Sequence, residues 1–120
     1  MIEPRVFDHT AIIALFAGHH VVYGTWQQAD RGELTIIMPA AAIAEANNVI
    51  GGTGDTWHAL LDPEQVVVTP LDQSTAIDTG PQQGALVVRH VVHEAKHTRG
   101  AIVTRAPWQY PADGPPVRVI

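Results

Sequence analysis

The chain reads as a three-layer α/β/α domain built on a central parallel sheet of four or five strands. Three observations predict this. Short apolar runs rich in β-branched residues recur at Leu34 to Met38, Val66 to Val68 and Ala101 to Thr104, as strands require. Helix-like segments separate these runs, and strands alternating with helices imply parallel pairing through crossovers. The runs are apolar throughout rather than alternating, as in strands covered on both faces.

Each element has a local reason. Val6-Phe7 opens the sheet as a short buried strand. Thr10 is expected to cap a helix through Phe16, its hydroxyl accepting a free backbone N–H, and Gly18 ends it. Val21 to Arg31 reads as a second helix with Val22, Trp26 and Ala29 on one side, stopped by Gly32. Leu34 to Met38 is the second strand. Pro39 suits a first helical position, where a missing N–H costs nothing, and Ala40 to Ile50 continues as a helix closed by Gly51-Gly52. Asp55 to Leu61 is a short helix, and Pro63 breaks the chain after it. Val66 to Val68 is the third strand. Gln73 or Ser74 to Thr79 is a short helix ended by Gly80-Pro81. Gln83 to Thr98 is the longest helical segment, with Gly100 as its C-terminal stop. Ala101 to Thr104 is the fourth strand, and Val117 to Ile120 a candidate fifth.

With 120 residues and no long linker or internal repeat, residues 1–120 are expected to form a single domain. The 46% hydrophobic content suffices for one modest core, and the 16% charged content argues against disorder. There is no cysteine, so neither disulfides nor thiolate metal sites are available, which fits a cytoplasmic location. The start of the chain lacks the basic and apolar regions of a signal peptide. No apolar stretch approaches the roughly 18 residues of a membrane span, so no membrane partner is expected. Twelve acids against seven Lys+Arg give a net charge of -5. A nucleic-acid partner would therefore need a local basic patch or bound cations.

Ligand sites in open parallel sheets gather at the carboxyl ends of strands. Asp8 stands at one such end, and Thr104, Arg105 and Ala106 at another. Glu45 lies nearly two turns into the helix after the second strand. Taken alone, Glu45 reads as part of a solvated helix face and Asp8 as a cap or turn acid. Facing one cleft, they offer the oxygen ligands that a hard cation such as magnesium takes. A metal so held activates water and stabilises charge building on a phosphate.

At this point the chain resembles a family. Phe7-Asp8-His9-Thr10-Ala11 is similar to the opening motif of PIN domains, an aspartate after strand one with a small hydroxylic residue two positions on. Ile36-Ile37-Met38-Pro39-Ala40 with Glu45 resembles their second motif, a strand, a proline and a helix with an inward glutamate. Val91 to Ala95 and Gly100 to Thr104 resemble the long helix and fourth strand. The likeness runs from about Val6 to Ile120 and is nearest to VapC-like toxins of actinobacterial type, as a matter of order and spacing rather than of any one motif. The resemblance implies a helix-sandwiched parallel sheet, an acidic pocket, and a magnesium- or manganese-dependent ribonuclease. It makes Asp8 and Glu45 the candidate catalytic and metal residues, with Thr10, Thr104 and Arg105 at the pocket. It also implies RNA, a small antitoxin-like protein and a homodimer as partners.

Two departures qualify that expectation. The family's third acid belongs near the start of the long helix, where Gln82-Gln83-Gly84-Ala85-Leu86 makes Ala85 its equivalent. The fourth, two residues after Thr104, is Ala106. Asp78 precedes the long helix by a turn and a loop, and Glu94 lies about 13 Å along it, so neither substitutes. Losing ligand charge weakens cation binding. The preferred expectation is a degenerate, weak or inactive ribonuclease homologue acting in RNA binding or regulation. An active magnesium-dependent endoribonuclease using Asp8 and Glu45 is the alternative.

Histidines suggest a third reading. His90, His93 and His97 share a helix face, and His93-Glu94-Ala95-Lys96-His97 has the form H-E-x-x-H of zinc hydrolases. It ranks last because the motif is short and the family spacing puts it at the far end of the helix from the acid pocket. The competing expectation is a polar helix face, with His90 packed beneath a strand. Arg89 and Arg105 are candidate phosphate contacts. Trp26 and Trp57 are expected in the core or an interface, and Trp108 and Tyr110 in an ordered surface loop.

Overall fold

The computed structural model describes residues 2–120. Five strands form one sheet: β1 (Arg5–Phe7), β2 (Ile36–Pro39), β3 (Val66–Thr69), β4 (Ala101–Thr104) and β5 (Val117–Val119). All pairs are parallel and the order is β3-β2-β1-β4-β5. Helices α1 (His9–Phe16) and α2 (His20–Asp30) link β1 to β2, and α3 (Ala40–Ile50) and α4 (Gly54–Leu61) link β2 to β3. Helices α5 (Gln73–Thr79) and α6 (Leu86–Thr98) return the chain to β4, and a 3-10 turn (Pro107–Gln109) precedes β5. Right-handed crossovers put helices from opposite directions of travel on opposite faces, giving the three-layer α/β/α fold that alternation predicted.

The central strands are buried as their composition requires. Val6, Phe7, Ile36, Met38 and Ile102 are closed to solvent, and each such side chain contributes about 1.5–3 kcal/mol. β3 is a sheet edge, and its Val67 and Val68 are exposed. Trp57 is buried with its ring edge against Phe16 at 4.8 Å, and its Nε1 donates to Asn47 Oδ1. Trp26 is half-buried and donates to the Leu60 carbonyl.

Three local expectations change. Thr10 does not cap α1. Asp8 does, accepting from Ala11 N at 3.0 Å, which frees the Thr10 hydroxyl for tertiary bonds. Pro39 is the last residue of β2 and the N-cap of α3, with φ -60° and ψ 138°, because it pairs with Thr69 across the sheet. The long helix begins at Leu86 rather than Gln83, and Arg99, not Gly100, makes its left-handed stop at φ 55°. Gly100 serves closeness instead: a Cβ there would lie 3.0 Å from the Pro4 carbonyl oxygen and from Val6 Cγ2, where β4 enters beside β1.

Candidate functional site

The chain leaves β1 towards β2 and β3, then returns to lay β4 on the other side of β1. The carboxyl ends of β1 and β4 therefore flank the topological switch point, the usual ligand crevice of an open parallel sheet. Asp8 directly follows β1, Thr104 ends β4, and Phe7 pairs with Val103 to bring them level.

There the side chains form a closed network. Asp8 is fully buried. Its Oδ1 accepts from Ala11 N at 3.0 Å and from the Thr10 hydroxyl at 2.6 Å. Its Oδ2 accepts from the Tyr110 hydroxyl at 2.8 Å. A hydroxyl has one proton to give. Thr10 gives its proton to Asp8, so across the 3.2 Å to Thr104 Oγ1 it is Thr104 that donates. Thr104 accepts from Ala106 N at 2.9 Å, and Thr10 from Arg105 N at 2.8 Å. One directed chain thus runs from the Ala106 N–H through Thr104 and Thr10 to Asp8. Burial first, then the Asp8 charge and the hydrogen bond, push the Tyr110 phenol above its ordinary value, so it remains a donor.

The structure brings Asp8, Thr10 and Thr104 together and adds Tyr110. The expectation of a surface loop holds for Trp108, 79% exposed, but not for Tyr110, 8% exposed. The 3-10 turn that Pro107 starts turns the Tyr110 ring inward, and Pro111 follows it. An aromatic body with a polar tip was the available signal for this plug. Arg105 contributes its backbone N–H, while its side chain is exposed.

Glu45 is exposed on α3. It borders a cavity of about 320 Å³ with Ala41, Ala44, Leu71 and Leu86, and Asp8 is not among the residues lining it. Ala106 is buried and Ala85 exposed, and neither offers an oxygen from its side chain. A magnesium or manganese ion takes oxygen ligands and keeps several waters. The donor set here does not fit one, because the Asp8 carboxylate is closed to solvent and already accepts three hydrogen bonds. Among the described residues no group of three or more His, Asp or Glu side chains is arranged to hold a metal ion.

Ala85 is the N-cap residue of α6 and makes no side-chain cap bond. Ala85→Asp is expected to stabilise the fold by about 1 kcal/mol through a cap bond and the helix dipole, raising Tm by roughly 4 °C. An unchanged or lower Tm in thermal denaturation would contradict this account of the helix start.

The histidines of α6 divide. His90 is fully buried; its Nδ1 accepts from Ala41 N at 3.3 Å, and its Nε2 lies 3.4 Å from Glu94 Oε1. His93 and His97 have ring centroids 4.1 Å apart, and His97 Nδ1 is 3.0 Å from the His93 carbonyl oxygen. Glu94 therefore lies against His90, one turn back from its position in the H-E-x-x-H reading. Arg89 donates to the carbonyls of Thr79 and Gly80, tying α6 to the end of α5. No helix among the described residues is long and apolar enough to cross a membrane. No family model matches the chain, and no curated protein matches it.

Proposed function

We propose that this chain is a non-catalytic PIN-like domain of VapC-like type that works in regulation, by binding rather than by cutting RNA. One observation carries the reading: the Asp8 carboxylate is closed to solvent and held at both oxygens by Thr10, Ala11 and Tyr110. A cation, and the nucleophilic water it activates, need that edge of the carboxylate, and a phosphate would be held through the cation. The alanines at 85 and 106 add no charge to the pocket. The resemblance further suggests a small antitoxin-like protein, structured RNA and a second copy of the chain as partners. The acidic balance of the chain favours the protein partners.

The test is cleavage of structured RNA with magnesium or manganese, comparing wild type with Asp8→Asn. The expected result is no metal-dependent cleavage above a protein-free control, with the two proteins indistinguishable. Cleavage that Asp8→Asn abolishes would establish the alternative, an active endoribonuclease.

A further inference from the structure

A furrow runs along one flank of α6, between that helix and the segment joining β4 to β5. One end encloses about 630 Å³ bordered by Val88, Arg89, Val92, Trp108 and Tyr110. The other encloses about 430 Å³ and includes Arg99 and Asp113. Lys96 borders both, so the two lie end to end along α6. Three of the seven basic side chains thus border the furrow, against one of the twelve acids. In a chain of net charge -5 this is a local reversal of sign. Its floor is apolar at Val88 and Val92, and Trp108 stands in solvent at its rim.

We propose that this furrow docks an extended acidic peptide segment of a partner protein. An apolar side chain of that segment would pack on Val88, Val92 and Trp108, and its carboxylates would face Lys96 and Arg99. The dimensions agree. Arg89 to Arg99 covers about 15 Å of helix, the length of roughly five residues of extended chain. Arg89 is already fixed by the Thr79 and Gly80 carbonyls and supplies charge from a rigid position. A single-stranded nucleic acid is the weaker fit. Such ligands use successive aromatic platforms, whereas only Trp108 is exposed here, and a dense polyanion meets the full net negative charge. Apart from Tyr110, the residues bordering the furrow lie outside the Asp8 network. The outcome of the cleavage test therefore does not bear on this site.

The test titrates the full chain into fluorescein-labelled peptides with glutamates and aspartates around one fixed leucine or phenylalanine, read by polarisation. A lysine-based pool and a labelled oligouridylate run in parallel. The expected result is saturable binding of the acidic pool. Lys96→Glu combined with Arg99→Glu weakens it about tenfold or more, as does Trp108→Ala. Arg31→Glu, whose exposed side chain pairs with Glu33 at the end of α2, leaves it unchanged. Thermal melts of each variant confirm folding. Absent binding, binding that survives the charge reversals, or preference for the lysine pool or the oligouridylate would each overturn the proposal.

Discussion

Asp8→Ala is expected to lower the free energy of unfolding by about 2–4 kcal/mol, whatever the domain does to RNA. The substitution removes the cap of α1, which is worth about 1 kcal/mol. It also leaves the Tyr110 hydroxyl buried without its acceptor, at about 1–3 kcal/mol for such a group. Against a domain stability of about 5–15 kcal/mol the loss is large. Asp8→Asn keeps an acceptor oxygen for the Ala11 N–H, and the Tyr110 hydroxyl can turn to accept from the new amide. It is expected to cost about 1 kcal/mol. Urea denaturation of the three proteins checks this, and equal midpoints for Asp8→Ala and wild type would refute the network. The difference also matters for function: loss of any activity in Asp8→Ala would report unfolding as readily as chemistry, so Asp8→Asn is the informative variant.

His90 is the second position where a large effect is expected. Its imidazole fills a closed space between α6 and α3, and its Nδ1 accepts from Ala41 N in the first turn of α3. His90→Ala opens a cavity and strips the N–H of its acceptor, at about 2–4 kcal/mol. The same contact makes stability depend on pH. Burial lowers the His90 pKa below 6.5, outweighing the opposing pull of Glu94. Above about pH 6.5 the ring is neutral folded and unfolded, and its contribution is fully present. As pH falls below that value the unfolded chain takes up a proton that the folded chain refuses, so stability falls until the lower folded pKa is reached. Protonation would also place a cation at the start of a helix, the unfavourable end of its dipole. Urea midpoints between pH 8 and pH 5 should therefore fall with acidification in wild type and less steeply in His90→Ala. Parallel slopes would remove His90 as their source.

Much of the architecture was legible in the chain. The apolar runs at Ile36 and Ala101 could only be buried on both faces, and the helices between them required parallel pairing. Gly51, at φ 67°, closes α3 where its sequence position indicated. The sequence offered both Thr10 and Asp8 as caps of the first helix, since both have capping oxygens, and the choice fell to Asp8 because it depends on what else each hydroxyl or carboxylate meets. Arg99 takes the left-handed stop of α6 one residue before Gly100, whose close approach to Pro4 no local pattern records.

From its own order, then, the sequence determined the alternation of strands and helices, their parallel sheet, and the position of Asp8 at a strand end. These follow from hydrophobic periodicity and turn chemistry, which act over a few residues. Only the tertiary structure decided what surrounds Asp8. Thr104 meets Thr10 from 94 residues away, and Tyr110 meets Asp8 from 102 residues away. A buried carboxylate must be satisfied, and here the partner that satisfies it arrives from the far end of the fold. That long-range contact places the candidate metal ligand at the centre of a hydrogen-bond network.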